Sequence, residues 1–351
     1  MMAGLSVYRK HNLLYTQEGI ECYGPGGYHP VCLGDTFNNR YKLLAAHSKA
    51  DAISRHITPV RDFFIHDGPN GAHQCLIFDL LGPSLGRVIR SREYEEGEGL
   101  EPDVILRISE QLLQALTCLH DADIVHGDIN VGNIAFQCTD LFNAGMDLLE
   151  VLGEPRCEEL VRLDGKPLDP GLPKQIVEAA DWEAWFDEDE EDIRIIDFGH
   201  AFVRGEEPKK LAQPRDLRVP ETFFTGRFDQ KVDSWTAGCV VMFGAYPFGC
   251  PGDDAILVGE MIGFVDELPE KWQQKWYEMR QDSQFRAALS ELEGLQKGEL
   301  AKRFKKHEDD AKVAILLPVI QGLMRLDPAE RLSASEALDL LRRKASYNMQ
   351  A

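Results

Sequence analysis

Asp128 and Asn133, a carboxylate and an amide five residues apart, sit in "IVHGDINVGNIAF" (residues 124–136), between two apolar runs that read as strands. A third oxygen-bearing side chain, Asp197, stands at the end of "IRIIDFG", just before a glycine turn. Phosphoryl transfer calls for such parts. It needs a divalent ion held by hard oxygen ligands against a triphosphate, and a carboxylate that orients the attacking hydroxyl and accepts its proton. In that chemistry Asp128 is the base, while Asn133 and Asp197 hold magnesium. Each motif alone is weak, because a lone loop aspartate is most often a turn former. Their order along the chain gives the combination its weight.

The surrounding elements must hold these loops rigidly. From Pro102, Ile105, Ile108, Leu112, Leu116 and Leu119 recur at spacings of three and four, which predicts an amphipathic helix leading into the first loop. "KVDSWTAGCVVMF" has very few charges and suits a helix buried on most sides. In "SASEALDLLRR", Ser333 as N-cap and Glu336 three residues on form a capping box. Upstream, "RDFFIHDGPNGAHQCLIFDLLG" predicts an antiparallel hairpin turning at Asn70-Gly71, since both residues tolerate positive φ. "RYKLL" is a further strand candidate. The uneven stretch 137–192 is too long for an ordinary connection and reads as an insertion with two short helices.

With 351 residues, 44% hydrophobic and 28% charged, the chain has the composition of a globular protein of about two domains. No run of eighteen apolar residues and no secretory leader is read. A net charge of −21 argues against direct nucleic-acid or anionic-membrane binding and favours a cationic partner. "DEDEED" (Asp187 to Asp192) reads as a solvated acidic loop. Eight cysteines without a C-x-x-C pair read as buried thiols of a reducing compartment.

These motifs in this order resemble the eukaryotic protein kinase superfamily from about Phe63 onward. "HGDINVGN" stands where the family has H-R-D-L-K-x-x-N, and "DFG" is intact. "VPE" (Val219 to Glu221) looks like A-P-E, "DSWTAGC" like the helix carrying a family Asp, and "RLDPAERLSASEAL" like the closing segment. The resemblance implies an α+β, protein-kinase-like bilobal fold. A reduced β-rich N-lobe with an N-terminal extension would span 1–82, and a mainly helical C-lobe 83–351, with the insertion at about 137–192. It implies ATP and magnesium as cofactors and assigns catalysis to Asp128 and Asn130. Structural support falls to His126, Glu221, Asp233 and Arg331, with Asp233 bracing the loop backbone and Glu221 pairing with Arg331.

Narrower features, "YHPVCLGDTFNNRYKLL", "HDGPNGAHQCLIFDLLGPSL" and "DGKPLDPGLPK", resemble the serine/arginine-protein kinases, especially their fungal relatives. By that match Phe78 is the gatekeeper, and the Asp79 carbonyl and Leu81 amide face adenine. The implied partners are basic Arg/Ser-rich protein substrates, in the cytoplasm, the nucleus or both; the oligomeric state stays open. From Asp197 to Glu221 there is no Ser, Thr or Tyr, and Gly127 replaces the arginine that would hold a phosphate there, which fits a permanently ready segment.

Three family parts are absent: the Gly-rich loop over the phosphates, the strand lysine and the helix glutamate. Gly24, Gly26 and Gly27 precede the first strand and read as a loop; Lys42 and Lys49 read as solvated; after Leu44 the chain runs as if a block had been removed. Asn130 stands in place of the loop lysine that contacts the transferred phosphate, an amide that the fungal relatives tolerate. Transfer is expected to be weak, because lost electrostatic clamps are costly in the transition state. Two alternatives follow: a pseudokinase scaffold for basic partners, and a small-molecule phosphotransferase resembling aminoglycoside and choline kinases, whose loop commonly reads H-G-D-x-x-x-x-N.

Overall fold

The computed structural model describes residues 7–9, 19–31, 36–37, 41–42, 55–92, 99–139, 153–154, 156–178, 191–241, 247–249, 253–265, 267–283, 299–305 and 311–348. The chain divides into two compact units: one of Met1–Ile53, Thr58–Gly82 and Gln137–Asp187, the other of Ser54–Ile57, Pro83–Phe136 and Glu188–Ala351. One break between the units falls after Gly82. The insertion, expected within the helical part, groups instead with the first unit.

In the first unit, β1 (Thr36–Phe37) pairs with β2 (Tyr41–Lys42), and β3 (Asp62–Gly68) pairs antiparallel with β4 (Gly71–Ile77). Because Gly68 faces Gly71, the turn is Pro69-Asn70 rather than Asn70-Gly71. Proline's fixed φ suits the first turn position, and only Gly71 has positive φ (126°). Asn70 is occupied differently: its buried Nδ2 donates to the Tyr28 carbonyl (2.5 Å) and the Gly171 carbonyl (2.8 Å). One amide thus joins the glycine turn, the hairpin and the insertion. The glycine turn closes on itself through Gly27 N–H to the Gly24 carbonyl (2.7 Å) and on the hairpin through Gly26 N–H to the Asn70 carbonyl (2.6 Å).

Within the insertion the described residues form two antiparallel strands, β7 (Cys157–Glu159) and β8 (Gln175–Val177), where helices were expected. The remainder of that expectation lies outside the described residues, as do the Leu44 to Ala45 junction and Lys49. The N-terminal segment docks on the insertion, with Arg9 N–H to the Val161 carbonyl and Leu163 N–H to the Val7 carbonyl, both 2.8 Å. Tyr8, Ile20, Leu160 and Ile176 make a small buried core there. Alternation along the hairpin puts Phe64 and His66 on its half-buried face and leaves Phe63 and Ile65 exposed.

The second unit is mainly helical. Helix α1 (Leu85–Ser91) is capped by Ser84, and α2 (Pro102–Asp121) starts on its proline and buries Val104, Ile108, Leu112, Leu116 and Leu119. Short strands follow: β5 (Ile124–Val125), β6 (Ile134–Phe136), β9 (Ile193–Ile195) and β10 (Phe202–Val203). β6 pairs with β9 and β5 with β10, both antiparallel. Helix α3 (Lys231–Val240) is buried from Val232 to Val240, as its composition predicts. Helix α4 (Asp254–Phe264) is capped by Asp253; α5 (Leu316–Leu323) packs on α3, and α6 (Ala334–Asn348) on α2. The capping box is present, with Ser333 N–H to Glu336 at 2.7 Å and Glu336 N–H to the Ser333 hydroxyl at 3.3 Å. Among the described residues no helix is long and apolar enough to cross a membrane.

Two smaller expectations need correction. Cys22 and Cys157 are exposed, although Cys138 and Cys239 are buried. The end of the acidic run is structural rather than solvated: Glu191 is buried, and Asp192 accepts from Gln111 Nε2 (2.5 Å) and pairs with Arg55 (3.0 Å). Gln111 Oε1 in turn accepts the Ile193 N–H (2.9 Å), which fixes the start of β9. Residues 187–190 lie outside the described residues.

Candidate active site

The loop from His126 to Asn133 is held from beneath by one buried carboxylate. Asp233, on the first turn of α3, is fully buried and accepts the N–H of His126 (2.8 Å), the N–H of Gly127 (2.9 Å) and His120 Nε2 (3.0 Å). Charge-assisted bonds of this kind are about twice as strong as neutral ones and fix the backbone of the loop. His120, at the end of α2, was not singled out in the sequence. A histidine in the last helical turn before an H-G-D loop is the only trace it leaves there.

His126 joins the two loops. Its Nδ1 accepts the Asp128 N–H (3.3 Å), so Nε2 carries the proton that it donates to the Ile196 carbonyl (3.0 Å). The Ile196 N–H donates to the Asn133 carbonyl (3.0 Å), continuing the β6–β9 ladder by one residue. Ile196 is therefore clamped on both sides, and Asp197 is the next residue. Phe198 stacks edge-on against His126, with ring centroids 4.9 Å apart.

Asp197 is exposed and has φ 62° and ψ 70°, a left-handed conformation that Asp tolerates better than most side chains; its Oδ1 accepts the Gly199 N–H (3.2 Å). Gly127 also has positive φ (80°), and a Cβ there would lie 2.8 Å from the His200 carbonyl oxygen. The sequence linked Gly127 to the missing phosphate; packing adds a second reason for glycine. Beyond His200, Arg204 reaches back, its N–H donating to the Asp123 carbonyl (2.8 Å) and its guanidinium pairing with the Asp123 carboxylate (3.0 Å).

Asp128 is half-buried. Asn133 Nδ2 donates to its backbone carbonyl (2.9 Å) and to Oδ2 (3.0 Å), while Oδ1 is buried with no hydrogen-bond partner. Burial raises the Asp128 pKa above the usual carboxylate value, against the lowering effect of the Asn130 and Asn133 amides. A carboxylate with one bonded and one unsatisfied oxygen, and a raised pKa, suits a group that accepts a proton.

The donor set fits magnesium. Asn133 spends Nδ2 on Asp128, which leaves its carbonyl oxygen as an acceptor, and the Asp197 carboxylate is solvent-exposed. Both are hard oxygen ligands, and magnesium bound with substrate phosphates takes only one or two carboxylates from the protein. Among the described residues no group of three His, Cys, Asp or Glu side chains is arranged to hold a metal by itself. The second loop thus approaches the first through backbone, with Asp128, Asn130 and Asn133 joined directly by side-chain bonds.

Glu221 and Arg331 form a buried bidentate pair, both contacts 2.7 Å. All five guanidinium donors are used, because Arg331 also donates to the carbonyls of Arg325 (2.6 Å), Lys231 (3.0 Å) and Leu326 (3.1 Å). Phe78, Asp79 and Leu81 belong to the first unit. Phe78 is exposed, and the Asp79 carboxylate accepts from Arg61 Nε (2.9 Å) and Nη2.

No family model matches the chain. Over 92% of its length it is 22% identical to the serine/threonine-protein kinase SRPK of Physarum polycephalum, covering 90% of that protein. It is 23% identical to the serine/threonine-protein kinase AFC2 of Arabidopsis thaliana, over 85% of this chain and 64% of that one. Protein kinase dsk1 of Schizosaccharomyces pombe is 28% identical over 35% of this chain and 31% of its own. A solved kinase domain superposes with a TM-score of 0.55 at 21% identity, covering 83% of this chain and 79% of that one.

The fold is therefore that of a protein kinase, α+β with few short strands. Over most of its length the chain is similar to serine/threonine-protein kinases of the SRPK and AFC type.

Proposed function

We propose that this protein transfers the γ-phosphoryl group of ATP to serine hydroxyls in basic, Arg/Ser-rich proteins, and does so slowly. The observation that carries the reading is the bonded set Asp128, Asn133 and Ile196, in which the Asn133 amide nitrogen holds a carboxylate of raised pKa and the Asn133 carbonyl holds the residue before Asp197. Asp128 orients the attacking hydroxyl and takes its proton, and Asn133 and Asp197 hold magnesium. When bound, that ion neutralises charge on the phosphates. Phe78, the Asp79 carbonyl and the Leu81 amide face adenine in the same proposal.

The substrate class rests on the likeness to SRPK-type kinases together with the net charge of −21, which draws in cationic peptides. Slowness follows from the three missing clamps. The glycine turn at residues 24–27 has two of its amides committed, Gly26 to Asn70 and Gly27 to Gly24. That observation also supports a second reading, a scaffold that grips basic partners without transfer. Residence in the cytoplasm or nucleus and the lack of direct nucleic-acid binding belong to both readings.

Radiolabelled γ-phosphate transfer to an Arg/Ser-repeat peptide separates them. The kinase reading expects magnesium-dependent label in serine that disappears in Asp128→Asn. The scaffold reading expects peptide binding with no label at any ATP concentration.

A further inference from the structure

Asn130 occupies the position at which the resemblance places a phosphate-contacting lysine, yet its side chain is turned into its own loop. Oδ1 accepts the Gly132 N–H (2.8 Å) and the Asn133 N–H (3.2 Å), and Nδ2 donates to the Asp128 carbonyl (3.1 Å). The Asn133 N–H is shared with the Asn130 carbonyl at 3.0 Å. Gly132 lets this turn close: a Cβ there would sit 3.0 Å from Asn130 Oδ1. The side chain is thereby an Asx turn that bridges the proton acceptor to the amide expected to hold metal.

We propose that Asn130 is a positioning residue, which orients Asn133 for the magnesium nucleotide instead of contacting the transferred phosphate. This rests on the kinase reading above. Lysine has three donors and no acceptor, so it cannot receive the Gly132 and Asn133 amides. Restoring the family residue should accordingly harm this protein. Aspartate keeps the acceptor oxygen but puts a charged oxygen in place of the donor, so it should recover the Gly132 and Asn133 bonds that alanine removes and not the bond to the Asp128 carbonyl.

The test uses the full chain with Asn130→Ala, Asn130→Asp and Asn130→Lys. Amide hydrogen exchange at Gly132 and Asn133 reads the turn without reference to activity. Loss of the Oδ1 acceptor should speed exchange about tenfold at Gly132 in the Ala and Lys variants and less at Asn133, which keeps the Asn130 backbone carbonyl, with little change in Asp. In parallel, the magnesium concentration that half-saturates ATP binding, followed by calorimetry, should rise about tenfold in Ala and Lys, and Asp should lie nearer wild type. The KM for an Arg/Ser peptide should stay unchanged, which general loosening of the fold would not allow.

Asn130→Lys matching or exceeding wild type in magnesium requirement would overturn the inference, as would unchanged exchange at both amides in Asn130→Ala. Wild-type protein that ignores magnesium ATP defeats the kinase reading instead, and the exchange data still decide whether the turn exists.

Discussion

The two units stabilise their loops by different means. In the second, the site backbone hangs from charged groups without exposure: Asp233 accepts three donors, and Arg331 uses all five of its own. In the first, separate segments meet through neutral groups: the Asn70 side-chain amide, a few backbone hydrogen bonds and a small apolar core. Phe63 and Ile65 of its hairpin stay 68% and 63% exposed, a poor use of β-forming apolar residues. The loops that carry Asp128, Asn133 and Asp197 lie in the well-braced unit.

This contrast can be broken most forcefully at the buried ion pair. Glu221→Ala strands two guanidinium donors in a buried site, and removing one partner of such a pair costs about 3–5 kcal/mol. Urea denaturation followed by tryptophan fluorescence should show that loss, since the guanidinium lies over the Trp235 ring at 5.0 Å. A change below about 1 kcal/mol would mean the pair is not buried as described.

At Asp128 the effects on stability and transfer should part. Replacement of a catalytic base typically costs about 10²–10⁴-fold in rate. The folded state holds this carboxylate with a raised pKa, so ionisation opposes folding as pH rises through that pKa. Asp128→Asn should thus abolish transfer yet leave the melting temperature at pH 7 equal or higher. A lower melting temperature would contradict the burial argument.

Much of the second unit was legible in the sequence because its determinants are local or lie in order. Period-three-and-four apolar residues marked α2, few charges marked α3, and the Ser333–Glu336 spacing marked the capping box. The first unit was less legible, since its folding depends on distant pairs. Asn70 is in the turn, at Pro69-Asn70, but nothing local signals that its side chain is used by Tyr28 and Gly171, 42 and 101 residues away. Likewise nothing local signals that Tyr8 packs with Leu160 and Ile176. In the site, Asn130 was read by family position, while its hydrogen bonds are visible only in three dimensions.

Smaller perturbations sharpen the comparison. Asn70→Ala removes a buried donor and leaves two carbonyls unpaired, a cost of about 1–3 kcal/mol. Hydrogen exchange should accelerate in residues 19–31 and 156–178 and stay unchanged in α2 and α3. Equal acceleration in α3 would show that the units do not open separately.

His56 supplies the mildest test. Its buried ring meets the Ile193 carbonyl (3.1 Å), and burial lowers its pKa below 6.5. A lowered folded pKa means that the unfolded chain binds the proton more readily. Stability from this group is thus complete above about pH 6.5 and declines as pH falls through the folded value. His56→Gln should flatten that part of the pH–stability curve.

Calorimetric titration of ATP with and without magnesium, on wild type and on Asn133→Ala/Asp197→Ala, tests the central claim most directly. The account predicts that magnesium strengthens nucleotide binding to the wild-type protein and that the double substitution removes this gain while the fold survives. Nucleotide binding that is indifferent to magnesium in the intact protein, or a gain that persists without both side chains, would contradict it.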